Sequence, residues 1–475
     1  MIRTLLMLIC ISISSTLFAV EAQHSSAEYN KPYQEQALNI YRDTIAMETS
    51  LGQHMVPTMA HYLGDRFRDG GFDDEDINVI LFQPPGGEET ASLVVRYRGD
   101  GHSGKKPILF VAHMDVVGAL REDWVRDPFT LIEEDGYFFG RGTDDDKAGT
   151  TLLTAAFLRL KSEGFVPTRD LIVAFSGDEE TAMATIKDLV ESHRDLIDAE
   201  FAINADAGGG SLDSNFKPIA YRLQAAEKAY VDFELIVRNP GGHSSRPQAD
   251  NAIYRLGDAL KKIQEYQFPV RYNDITRQYF KLRSAAESGE VAEAMLAFSR
   301  NPADKTAAAT LATYPSHVGV IRTTCVATML NAGHAENALP QSAKANINCR
   351  IFPGITVTEV HQVLKDIIDD DEVEVAMLGE PESAPASALR EDVVDAISKG
   401  VHSIYPGLPI IPSMSTGATD GRTLRANGIP TYGSIAIFGR SEDNFAHGLN
   451  ERVPVKSFFD ALEHWHVVIK ELAGR

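Results

Sequence analysis

The stretch Leu171 to Glu180, LIVAFSGDEE, restricts the fold more than any other: an unbroken apolar run stops at a glycine and three acids. Five apolar residues in a row, Leu171 to Phe175, read as a strand buried on both faces, and Ser176-Gly177 ends it. Asp178, Glu179 and Glu180 then stand at the strand's carboxyl end. In an open parallel α/β sheet that edge binds ligands, because the connecting loops splay apart there. Two more runs share this design. Pro107 to Ala112 leads into His113-Met114-Asp115, and Phe201 to Ala205 leads into Asp206 just before a triple glycine. Three strands thus carry an imidazole and several carboxylates to one edge.

At 475 residues the chain exceeds one ordinary core, so two domains are expected. A net charge of -22 argues against polyanionic partners such as nucleic acid and for a well-solvated surface. The first 22 residues read as a secretory leader: Arg3, an apolar stretch from Leu5 to Phe18, and a small-residue cleavage site at Val20-Glu21-Ala22. The apolar stretch meets Glu21 too early to span a bilayer. Ile9 before Cys10 does not suit lipid attachment. The protein is therefore expected to be exported, periplasmic or secreted, with Cys325 and Cys349 in an oxidising compartment. If the strands Thr323 to Leu330 and Ser342 to Phe352 pair antiparallel about Asn337, these cysteines fall opposite one another. A cross-strand disulfide and two buried thiols are then the alternatives.

The rest of the chain divides by its periodicity. Residues 24 to 75 carry helical spacing, followed by strands at Ile77 to Phe82 and Ala91 to Tyr97 and a hairpin around Glu134-Asp135-Gly136. Helices are expected at Ala148 to Glu163 and Thr185 to Arg194, which makes a sheet wound on both faces. Near Gln224 the pattern turns to alternation, as in a half-exposed antiparallel strand. Helices at Asn251 to Tyr266 and Val357 to Asp369 and a strand at Val373 to Met377 suggest an inserted α+β unit. The charged helical segment Thr276 to Leu311 reads as part of this unit or as an insertion on it. Pro- and Ser-rich Glu380 to Ala388 reads as the return linker. Helix 391 to 404, a glycine-rich loop at 415 to 422, strand Thr431 to Phe438 and helix 456 to 472 complete the first unit. The fold class is α/β: a doubly wound mixed-sheet domain, 23–224 and 380–475, with an inserted lid or dimerisation domain, 225–379.

His113, Asp115, Asp144 to Asp146, Asp178 to Glu180 and Asp206 each follow an apolar run. So many carboxylates at one edge raise one another's pKa values unless cations sit among them. Imidazole and carboxylate without thiolate suit catalytic zinc, and also manganese or cobalt. His54, His61, His102 and His334 stand outside these patterns and read as ordinary surface or packing residues.

The series HMD, GRGTDDDKAG, SGDEE, NADAGGG, GGHSSRP, NALP, CRIFPG and AHGLNERV, in that order, resembles the di-metal aminoacylase, carboxypeptidase and dipeptidase family of metallohydrolases. The resemblance implies two divalent ions, zinc above all, held by His113 and Asp206 on one side and His447 and Glu180 on the other, with Asp145 between them. The flanking acids Asp144 and Asp146 depart from many relatives, which carry neutral residues there. By the same resemblance Asp115 holds the His113 ring in its tautomer, and Glu179 is the general base for a metal-bridging water. His243 is expected to reach a partner subunit's active site and stabilise the oxyanion, with Asn337 assisting. Arg350 is expected to grip a substrate carboxylate, and backbone amides around Gly417 and Thr419 to line the substrate terminus.

The function so implied is hydrolysis of the amide bond of short peptides by an exported dipeptidase or carboxypeptidase. In the family, deacylases tend to carry glutamate at the position of Asp206, which favours peptides over N-acyl amino acids. An N-acyl-amino-acid amidohydrolase is the alternative. A non-catalytic solute-binding protein is the more distant one, since such a module has no use for a free carboxylate beside a metal ligand. The partners expected are a small peptide or N-acyl amino acid and a second copy of the chain through the inserted domain. No nucleic acid is expected, and no membrane once the leader is removed.

Overall fold

A computed structural model describes residues 24–379, 381–443 and 445–474, so the leader, with Cys10, lies outside the described residues. The apolar runs build a ten-stranded mixed sheet. Its order is Ile77–Phe82, Thr90–Tyr97, Leu171–Ser176, Ile108–His113, Phe201–Asn204, Thr431–Gly433, Pro218–Glu227, Gly209–Leu212 and Phe438–Arg440, with Ile410–Ser415 also paired to Pro218–Glu227. The three runs that end in chemistry are parallel neighbours: Ile108 pairs with Leu171 on one side and Phe201 on the other. Their carboxyl ends therefore open on the same edge.

The central strands are buried throughout, as continuous apolar runs require. Alternate residues feed two cores. Phe110, Ala112, Val173 and Phe175 pack under the helices Pro32–Ala46, Lys147–Ser162 and Val455–Ala473, while Leu109, Val111, Ile172 and Ala174 pack under Ala184–Glu191 and Asp420–Ala426. This is the wound sheet expected from the sequence.

A second, antiparallel sheet has the order Thr324–Ala332, Ser342–Ile351, Ala229–Arg238, Val373–Leu378. Val231, Phe233, Leu235 and Val237 face its core with the helices Ala252–Glu265 and Val357–Ile368, whereas Tyr230, Asp232 and Glu234 turn outward. Cys325 stands opposite Cys349, and the two form a disulfide.

Four details differ from the sequence reading. Strands Gly209–Leu212, Pro218–Glu227 and Ile410–Ser415 were not anticipated, because glycine, proline and polar residues interrupt them. The first sheet keeps its strand to Glu227, beyond the change of pattern near Gln224. The expected strand Thr431 to Phe438 is two short ones, with Ala436 between them at φ +69°. The helices spanning 274–321 place Ile275, Phe280, Met295, Phe298, Leu311 and Ile321 in the large core, not on the antiparallel sheet. The segment between the two sheets thus contributes to both cores.

The disulfide closes a loop of 24 residues. Chain-entropy arguments give such a bond about 3 kcal/mol. Replacing both cysteines by serine is expected to lower the urea-unfolding free energy by about that amount. Titration of the unreduced, unfolded protein should find neither thiol reactive, and reaction of both would contradict the pairing.

Candidate metal centre

Local hydrogen bonds set each acid before the site is complete. His113 ends its strand buried, and its Nδ1 donates to the Asp115 carbonyl oxygen at 3.0 Å, leaving Nε2 to face the acids. The Asp115 carboxylate lies 3.4 Å from the same Nδ1 and accepts the amides of Glu179 and Glu180, each at 3.0 Å. Asp115 thereby fastens two strand ends to one another. Asp178 works differently: it accepts the amides of Ala184 and Thr185 at 2.8 and 2.9 Å and so caps the helix Ala184–Glu191. Asp146 caps Lys147–Ser162 through the Gly149 amide at 3.2 Å and accepts the His113 amide at 3.3 Å. The Asp144–Asp145 turn hangs on Glu451, which accepts both amides at 2.6 and 3.1 Å and pairs in the interior with Arg141.

Asp145 stands between the two imidazoles. One oxygen lies 2.9 Å from His113 Nε2 and the other 3.2 Å from His447 Nε2. Asp206 approaches His113 Nε2 at 3.7 Å, and Glu180 approaches His447 Nε2 at 2.9 Å. Each imidazole therefore has one acid of its own and shares a third. His447 holds this position at φ +63°, a left-handed backbone that costs a non-glycine residue about 1 kcal/mol or more.

The electrostatics are unbalanced without added positive charge. Burial, then Glu451 and Asp145, push Asp144 up to about 8, and burial pushes Asp206 up to about 7. Burial likewise raises Asp146 and Glu179 well above the usual carboxylate range. Asp145 goes the other way, because hydrogen bonds from His113 and His447 outweigh its burial. Burial pulls His113 down, but Asp115, Asp145 and Asp206 more than offset it and hold it well above its ordinary value. Hydrogen bonds to Asp145 and Glu180 take His447 up to about 10. The two rings serve as counter-charges where divalent ions would do so more effectively.

The donor set fits such ions. Ligand atoms of His113, Asp145 and Glu180 lie within 4.8 Å of one another, and so do those of His113, Asp146 and Asp206. Four of the five ligands read from the sequence, His113, Asp145, Glu180 and Asp206, fall in these groups; Asp146, which the second group adds, accepts backbone amides at 3.2 and 3.3 Å, and His447 meets Asp145 and Glu180 as above.

Beside this cluster lies a cavity of about 930 Å³ between the two sheets. Glu179 lines it with the acids, while Tyr230, Asp232 and Arg350 face it from the antiparallel sheet. Arg350 donates to the Thr416 carbonyl at 2.7 Å and lies 4.5 Å from the centre of the Tyr230 ring. Among the described residues it has no carboxylate partner. Gly417 and Thr419 also line the cavity, but their amides are engaged by Ser415 at 3.0 Å and Glu227 at 3.3 Å. Ala418, between them, lines the cavity as well. His243 and Asn337 sit at the exposed ribbon formed by Gly242–His243 and Ala338–Leu339, and neither lines the cavity.

Several contributors escaped the sequence reading. Glu451 falls inside the motif AHGLNERV and Arg422 inside the glycine-rich loop at 415 to 422, yet only the folded chain shows the first holding amides and the second lining the cavity. Tyr230 and Asp232 follow from strand alternation. Asp420 is buried, accepts the Ser176 hydroxyl, and is pushed by burial up to about 8. Because Glu451→Ala leaves Arg141 buried without its partner, urea unfolding of the metal-free protein should show a loss of about 3–5 kcal/mol. A loss below about 1 kcal/mol, the scale of an exposed pair, would show that Glu451 does not hold this turn.

Comparison with known proteins agrees with this geometry. The chain is 30% identical over 365 residues to human N-fatty-acyl-amino acid synthase/hydrolase, covering 74% of this chain and 71% of that one. It is 28% identical over 390 residues to a probable carboxypeptidase S-like protein of Dictyostelium discoideum, covering 80% and 74%. Among solved structures, an M20 family metallo-carboxypeptidase from Sulfolobus solfataricus superposes with a TM-score of 0.68 at 20% identity, over 92% of this chain and 99% of that one. Human carnosine dipeptidase 1 superposes with a TM-score of 0.64 at 15% identity, over 93% and 97%. Residues 109–471 match the model of Peptidase family M20/M25/M40, and the chain belongs to that family of metal-dependent hydrolases.

Proposed function

We propose that the protein is an exported dipeptidase or carboxypeptidase that hydrolyses the amide bond of short peptides with two zinc ions. The observation that carries this reading is the Asp145 carboxylate facing His113 on one oxygen and His447 on the other, with Glu179 on the wall of the adjoining cavity. His113, Asp145, Glu180, Asp206 and His447 would hold the ions, which would lower the pKa of the attacking water and polarise the scissile carbonyl. Glu179 takes the proton of the attacking water and returns it to the leaving nitrogen. Its amide is fixed by Asp115 at 3.0 Å, which orients the carboxylate without engaging it. Arg350 faces the same cavity and receives the substrate's terminal carboxylate, for which its planar donors are suited.

His243 and Asn337, exposed and away from this chain's own cavity, fit a role in a second copy's active site, with the antiparallel sheet and its ribbon as the route of pairing. The Cys325–Cys349 disulfide favours an oxidising compartment and so supports export. Hydrolysis of N-acyl amino acids is the second reading, favoured by the likeness to the human acyl-amino acid hydrolase. Both readings use the same residues at the reacting bond.

A panel of dipeptides and N-acyl amino acids, assayed with zinc, manganese and cobalt, separates them. Peptides are expected to be the better substrates, and efficient turnover of acyl substrates alone would reverse the order. Glu179→Gln is expected to lower kcat by about 10²–10⁴-fold while the bound-metal content stays that of the wild type. Undiminished hydrolysis by this variant would place the base elsewhere.

A further inference from the structure

The helices that pack on the large core enclose a second cavity, of about 370 Å³. It shares Asp206 and Thr419 with the main cavity, so these two side chains stand between the two. Arg222 and Gln224 of the strand Pro218–Glu227 line one side, and Tyr279 of the helix Asp274–Arg283 and Ser316 of Pro315–Ile321 line the other. Neither helix lies on the antiparallel sheet that carries Arg350.

Among the described residues, Arg222 is the one full cation of this lining, and its side chain is solvent-exposed. Tyr221 and Leu223, its strand neighbours, are buried on the opposite side of the strand, so Arg222 turns toward the cavity. Among the described residues it has neither an ion-pair partner nor a side-chain hydrogen bond. Gln224, by contrast, donates to Glu227 at 2.7 Å. The Tyr279 hydroxyl also makes no hydrogen bond among the described residues. A long alkyl chain in this cavity would strip water from the guanidinium without pairing it, at a high cost. A carboxylate would complete it.

We propose that the second cavity is a subsite for a carboxylate on the acyl half of the substrate, held by Arg222 with the Tyr279 hydroxyl as a further donor. The inference rests on the amide-hydrolase reading above, in which Arg350 takes the carboxylate of the leaving half. A substrate lying across both cavities then carries an anion on each side of its scissile bond. Two compound classes meet that description: peptides that begin with an acidic residue, and amides between a short dicarboxylic acid and an amino acid.

Matched pairs test it, namely Glu-Ala against Gln-Ala and N-succinyl-alanine against N-butyryl-alanine. The wild-type enzyme is expected to favour the carboxylate member of at least one pair by about 10- to 100-fold in kcat/KM, the range for a hydrogen bond to a charged group. Which pair shows the larger ratio identifies the class. In Arg222→Gln the ratio is expected to fall to about one, mainly through KM, as for binding energy present before the transition state. Arg222→Lys should give an intermediate ratio and Tyr279→Phe a smaller fall. The comparison is internal to each protein, so loss of folded enzyme does not imitate it. Wild-type ratios near one in both pairs, or an unchanged ratio in Arg222→Gln, would overturn the subsite while leaving the amide-hydrolase reading intact. Failure of the wild type to cleave any amide in the panel would remove both.

Discussion

One carboxylate shared by two imidazoles is the constraint on which the site depends. Asp145 meets His113 and His447, residues 334 positions apart, and no local stretch of chain could make that contact. The acids gathered around it repel one another in a buried setting, and burial drives Asp144, Asp146, Glu179 and Asp206 toward neutrality. A cluster of this kind persists only with cations among its members. The fold therefore carries a destabilising feature at its functional edge, as strained and charged active sites commonly do.

The scaffold answers that load with fixed hydrogen bonds. Asp115 ties the His113 strand to the Glu179–Glu180 turn, and Glu451 ties the Asp144–Asp145 turn to the segment that brings His447. These bonds set the acids in place from behind and leave their carboxylates facing one another, which is the preorganisation that metal ligands need. The parallel strands beneath are packed on both faces, so they transmit little slack. Across the cavity the antiparallel sheet contributes Arg350 and Tyr230, and Arg350 contacts the loop at Thr416. Residues of both sheets thus line one opening.

Much of this was legible in the residues themselves. Apolar runs ending at His113, Ser176 and Ala205 announced central parallel strands, since only burial on both faces accommodates them. Their polar ends pointed to one edge, and the candidate ligands His113, Glu180 and Asp206 stand at or just beyond those ends. Other parts depend on information a single segment does not hold. Strand Pro218–Glu227 mixes polar residues into a central position because Arg222 faces a cavity, and its pattern therefore resembled no buried strand. The helices of 274–321 are amphipathic, but an apolar face does not say which core it will meet. Glu451 holds backbone amides, a task without a residue-type signature.

The central claim is that Asp145 lies between two ions, each held by one histidine and one further acid. Anomalous diffraction from crystals grown with zinc, recorded on both sides of its absorption edge, tests this directly. The account predicts two peaks flanking the Asp145 carboxylate, one against His113 and Asp206 and the other against His447 and Glu180. A single peak, or peaks that leave His447 unliganded, would contradict it.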